Sequence, residues 1–133
     1  MNGLKAVENL AIYIQKNVDI KVFKYKKDTS LKNEPYICLN NLSFNYGKWV
    51  NQYGIINVNV HYPNNTDGSP RTEEIKRIVE DIYNLIPLKN AETEDDEKIL
   101  LIKGCFYEIE SDSNCMEDTD DTHFVNIRVC VTF

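Results

Sequence analysis

Two histidines and four cysteines hold most of the reactive chemistry this chain offers. His123 follows Glu117, Asp118, Asp120 and Asp121, a run that joins carboxylate oxygens to an imidazole. Carboxylates suit hard cations and imidazole suits transition metals, so the donor types of a metal site are present. The glycine and distal glutamate that shape an EF-hand calcium loop are missing, and a run of like charges ordinarily faces water. Cys115 and His123 offer a nucleophile and a base. No glycine-rich turn beside Cys115 supplies an oxyanion hole, and the neighbouring acids disfavour the thiolate. His61 falls on the more polar face of a strand and reads as structural. A phosphate loop, a dinucleotide fingerprint and a serine elbow are all lacking. The chain therefore reads as non-enzymatic, with no catalytic, cofactor-binding or metal-ligating residue assigned and no cofactor expected.

The other cysteines, Cys38, Cys105 and Cys130, lie in apolar, strand-like runs, where a thiol behaves as a small hydrophobe. No C-x-x-C pair is present, which weakens a zinc reading. Met1 to Ile14 lacks the form of a secretory signal, so reduced thiols in a cytosolic setting are expected. No apolar run nears the roughly 20 residues of a membrane span, and no membrane partner is expected. A net charge of −6 and a pI near 4.9 argue against a general nucleic-acid binder, which needs clustered Lys and Arg.

Charge is divided unevenly along the chain. Residues 1–90 hold 12 Lys/Arg and 9 Asp/Glu, whereas residues 91–133 hold 3 and 12. The later acids gather in 91–98 and 108–121; the basic excess lies early, around Lys21, Lys24, Lys26, Lys27 and Lys32. One reading is a pair of solvated loops and a solvated strand face. The other is that unlike patches meet between neighbouring subunits, with Lys24, Lys26 and Lys27 on one side and Asp118, Asp120 and Asp121 on the other. Such complementarity sets orientation and register, and a head-to-tail contact closes into a ring or runs on as a filament. A hairpin tip, Tyr46-Gly47-Lys48-Trp49 with Tyr53 just beyond, either packs back onto the sheet or anchors a partner. Tyr and Trp are among the residue types that dominate interface hot spots.

The elements that position these residues are outlined by periodicity. Leu4, Val7, Ala11 and Ile14 recur at helical spacing over about residues 3–16. Val18, Ile20 and Val22 alternate as a half-buried strand, the polar stretch 26–34 forms a loop, and Pro35 opens a strand from Tyr36 to about Phe44. A third strand runs from Tyr53 to Tyr62 with Ile56, Val58 and Val60 on one face, ended by Pro63. Ser69-Pro70 reads as N-cap and first helical residue. Ile75, Ile78, Val79, Ile82 and Ile86 form the buried stripe of that helix, and Pro87 stops it. Residues 99–110 read as one strand with a bulge at Gly104. The last strand alternates Val125, Ile127, Val129, Val131 and Phe133 against Asn126, Arg128, Cys130 and Thr132. The predicted fold is one α+β domain over residues 1–133. It has a single, mostly antiparallel β-sheet of about five strands with two helices packed on it, in the order αβββαββ.

This order resembles that of the small tail terminator and tail-completion proteins of long-tailed phages and prophages, a group that includes minor tail and head-tail joining proteins. The features that carry the resemblance are a short N-terminal helix, the strand entry Pro35-Tyr36 and a long hairpin. The strand INVNVHY then feeds a helix of the type RTEEIKRIVEDIYNLI, followed by an acidic loop and the final strand THFVNIRVCVTF. In those families Asp or Glu commonly stands shortly before a His and an alternating strand, as Asp120, Asp121, Thr122 and His123 do here. The resemblance implies a virion structural protein of the phage tail, assembled in the bacterial host cytoplasm. Family members form oligomeric rings, often hexameric, that cap the tail tube, stop its polymerisation and join it to the head connector. It thus implies a homo-oligomer with tail-tube and head-connector partners, working through interface geometry with no bond chemistry. The residues also leave open a small α+β binding or adaptor module of bacterial origin, taking a metal or offering its acidic surface to a protein partner.

Overall fold

The two long alternating strands set the centre of the molecule. In the computed structural model, which describes residues 3–45, 52–89, 99–119 and 121–133, β3 (Tyr53–Pro63) lies antiparallel to β7 (Thr122–Thr132) over its whole length. Ile56 pairs with Val129, Val58 with Ile127 and Val60 with Val125. A side-chain period of two puts these residues on one face, where Ile56, Val58, Val60, Ile127, Val129 and Val131 are fully buried. Helices α1 (Gly3–Asn17) and α2 (Thr72–Leu85) cover that face. The sheet is completed by β1 (Lys21–Lys24), β2 (Tyr36–Asn41), β4 (Leu101–Ile102), β5 (Cys105–Asp112) and β6 (Met116–Glu117). Its order is β1-β2-β3-β7-β5-β4, with β6 paired to β7. The class is α+β with a mostly antiparallel sheet, as the sequence predicts, but among the described residues the sheet has seven strands.

The two additional strands have local causes. Residues 99–110 form a hairpin, not one strand: Ile102 pairs with Cys105 across a two-residue turn. Lys103 (φ 48°) and Gly104 (φ 86°) both take the left-handed conformation that such a turn requires. Apolar residues on both sides conceal the turn in the sequence. Strands β5 and β6 run along the same side of β7, Asp112 opposite Ile127 and Met116 opposite Phe124, so four residues advance against three. Ser113 bridges the break: its N–H donates to the Asn126 carbonyl at 2.8 Å and its Oγ accepts from the Asn126 N–H at 2.9 Å.

One strand pairing goes beyond what the sequence states, and two further expectations are corrected. Strand β1 pairs with β2 in parallel, Lys21 opposite Tyr36, because the 25–35 connection is long enough to return across the sheet. Helix α2 begins at Thr72 with Arg71 as its cap. Ser69 is drawn away from the helix by Asp67, whose Oδ1 accepts from its N–H at 2.9 Å and its hydroxyl at 2.5 Å. Leu4 is 65% exposed, and α1 buries Ala6, Val7, Leu10, Ala11 and Ile14 instead. Ile82 of α2 and its capping residue Ile86 reach the centre of the core, Ile75 is buried outside that cluster, and Ile78 and Val79 lie at its margin. Cys38, Cys105 and Cys130 are buried, and Cys115 is exposed.

Candidate functional site

On the helix-free side of the sheet, two loops of opposite charge face each other. The 25–35 loop is shaped by Asp28, whose Oδ1 accepts from the Ser30 N–H at 3.0 Å and the Ser30 hydroxyl at 2.9 Å. Those two hydrogen bonds hold the Asp28 carboxyl below its usual pKa. Leu31 then folds onto Tyr36, Cys38 and Phe23, a second small core on this side. The opposing wall is the turn before β7. The Asp118 N–H donates to the Thr122 carbonyl at 2.9 Å, and the Asn64 N–H donates to the Asp121 carbonyl at 2.9 Å. Asp121 sits at φ 54°, a conformation that Asp tolerates better than most residues. Between the walls is an open groove of about 520 Å³. Lys27, Lys32 and Glu34 line one side; Thr119, Asp121 and Thr122 line the other.

The floor beside this groove is a row of stacked rings. Tyr36, His61 and Phe124 are direct cross-strand partners on β2, β3 and β7. The Tyr36 and His61 rings stack at 4.4 Å and 9°, and those of His61 and Phe124 at 5.0 Å and 21°. Phe23 on β1 extends the row edge-on, 6.1 Å from Tyr36. Lys27 Nζ stands 5.2 Å from the centroid of the Tyr36 ring. The Asp118 Oδ2 lies 3.3 Å from His61 Nδ1, and the imidazole is 8% exposed. Further along the same face, the Asn126 amide donates to Asn57 and Asn59, and the Asn57 amide donates to Asn40.

The structure therefore regroups the predicted residues. Lys27 and Asp121 line the same groove within one chain, and Asp118 stands beside it against His61. Lys24 ends β1 on the surface, and Lys26 is exposed in the loop after it. Tyr53 is 48% exposed at the start of β3. Tyr46, Trp49 and Asp120 lie outside the described residues, as does the acidic stretch 91–98. The proposed grouping of His123 with the acids is not formed by Asp118: strand alternation turns His123 to the helix side, where its Nδ1 is 2.6 Å from Asn64 Oδ1. Asp118 meets His61 on the other face. Among the described residues no cluster of three metal-ligating side chains is found. Burial raises the Cys115 thiol pKa, and Cys115 borders an apolar hollow with Ile75, Val79 and Val125.

His61 is the residue that the sequence reading takes as structural and leaves out of the candidate site. Its signal was its position: a histidine in register with Tyr36 and Phe124, which only the strand pairing reveals. The two Asp-x-Ser turns, at Asp28 and Asp67, were legible in principle, since Asp side chains bond backbone N–H groups two residues on. Chemically, the arrangement offers a groove with both signs of charge and an imidazole in the ring row beside it. No protein-family model matches the chain, and no curated protein matches it.

Proposed function

We propose that this chain is a non-enzymatic structural subunit that associates with copies of itself. The assembly we have in mind is a ring of the tail-terminator kind, which caps the tail tube and meets the head connector. One observation supports this reading most: the apolar edge of the sheet. Along the outer side of β5, β4 pairs at one end and Leu88 bridges to Ile109 at the other. Ile99 (72%), Leu101 (54%), Leu88 (48%) and Phe106 (42%) are exposed along this edge. Contiguous apolar surface of this kind marks sites of protein association. The opposite edge is blunted. Lys21 and Lys24 flank β1, and the Gln15 side chain accepts from the Val22 N–H at 2.9 Å and donates to the Ile20 carbonyl at 3.0 Å. An edge shielded on one side and apolar on the other fits a directed contact.

The groove beside Asp118 favours a second reading, a small adaptor that binds a charged partner segment, since its volume falls in the range of ligand sites. The two readings separate in one experiment. A Leu101→Asp, Phe106→Asp variant keeps the wild-type circular dichroism spectrum and loses concentration-dependent association in analytical gel filtration. Association that is unchanged in the folded variant would contradict the edge as the contact. A wild type that stays monomeric throughout would favour the adaptor.

A further inference from the structure

His61 lies in the row of stacked rings beside the groove, and we propose that it is a proton-controlled latch for the turn that forms the acidic wall. Imidazole is the side chain whose ordinary titration lies near neutrality, so its charge is the variable here. Two contacts strengthen when His61 gains a proton. The first is with Asp118 at 3.3 Å, which becomes an ion pair only with the charged ring. The second is with Tyr36 and Phe124, whose faces attract a cation held between them. Two features oppose protonation: the burial of the ring, and the Lys27 ammonium on the loop above Tyr36. Among the described residues, the remaining charges around the groove are Lys32 and Glu34 on the basic wall and Asp121 on the acidic wall. His123, the only other histidine, is turned to the opposite face and bonded to Asn64.

The mechanical consequence follows from where Asp118 sits. It closes the turn through its N–H bond to Thr122, and the same turn holds Asn64 through the Asp121 carbonyl. Thr119, Asp121 and Thr122 all line the groove. Protonated His61 draws Asp118 onto the sheet and narrows the groove; neutral His61 releases the wall. The latch needs no second copy of the chain, so it stands or falls apart from the self-association described above.

Two histidines make the test clean. Imidazole carbon–proton resonances are followed by NMR from pH 5 to 8, with His123→Gln assigning the two signals. The Asp118 and Asn64 amides report the turn by hydrogen exchange, corrected for the intrinsic pH dependence. The expected results are an Asp118→Asn variant with its His61 midpoint at lower pH and its His123 midpoint unmoved. Both amides in the wild type should exchange about twofold to fivefold more slowly with His61 protonated, the range a partly exposed ion pair commands, and this difference should vanish in Asp118→Asn. A His61→Gln variant, which removes the charge but keeps a polar side chain, should show the released rate at every pH. An unmoved His61 midpoint, or amide protection with the same pH dependence in wild type and Asp118→Asn, would overturn the proposal.

Discussion

Tyr83 shows how a single side chain on this molecule is tied to pH. It projects from α2 and donates its hydroxyl proton to Asp112 Oδ2 at 2.5 Å. Partial burial, then the hydrogen bond to Asp112 and its negative charge, push the phenol up to about 12 from an ordinary 10.0. The folded state therefore holds this proton more tightly than the unfolded chain. The contribution to stability is complete below about pH 10, where both states are protonated. It falls as pH rises from 10 toward 12, because the unfolded chain ionises first, and it is gone once the folded phenol has titrated. Urea unfolding of wild type and Tyr83→Phe at pH 8 and pH 11 should show a stability difference that shrinks at the higher pH. A difference that is equal at both would mean the Asp112 contact does not hold the proton. Tyr107 is a second late-titrating phenol, raised chiefly by burial, with its hydroxyl 2.8 Å from the Ala6 carbonyl. None of these partnerships was legible in the sequence, because Tyr83 on α2 meets Asp112 on β5, and His61 meets Asp118, through the packing of elements distant in the chain and not through local spacing. What was legible was residue character: Asp118, Asp121 and Lys27 stand out as charges at the surface, and Cys38, Cys105 and Cys130 as hydrophobes.

At the scale of elements, α2 is the test of the core. Its stripe was readable because Ile75, Ile82 and Ile86 repeat at helical spacing on one side of a polar helix. Ile82 is fully buried among the side chains of the helix-covered face. Ile82→Ala should cost about 2–5 kcal/mol in denaturant unfolding, from lost transfer energy and the cavity left behind. Ile78→Ala should cost less, since that side chain reaches only the margin of the core. Equal losses at the two positions would mean that the helix is rotated from the orientation described. The boundaries of α1 and β3 followed from strong periodicity, as did the two faces of β7, which begins at Thr122, ahead of the alternation read from Val125. The β4–β5 hairpin did not, because apolar residues on both sides of Lys103-Gly104 imitate one strand. The parallel pairing of β1 with β2 was also hidden. Nothing in a polar loop states which way the chain returns, and Leu31 fixes the answer by packing on Tyr36 and Cys38.

At the scale of the whole molecule, the charge division and the exposed apolar side chains point to different things. The sequence shows basic and acidic segments and permits them to meet between subunits. The structure brings Lys27, Lys32 and Asp121 to one groove in a single chain and pairs Lys21 with Glu34 at 3.7 Å. Screened surface pairs of this kind add little to association. On the proposed reading the exposed apolar side chains of Leu88, Ile99, Leu101 and Phe106 drive the contact, an attraction that salt does not screen. The most direct measurement of the central claim is sedimentation velocity over a concentration series at low and high salt, repeated with isolated phage tail tubes. The account predicts an oligomer larger than a dimer that grows with concentration, persists at high salt and co-sediments with the tubes. A strict monomer in every condition that also ignores the tubes would contradict it.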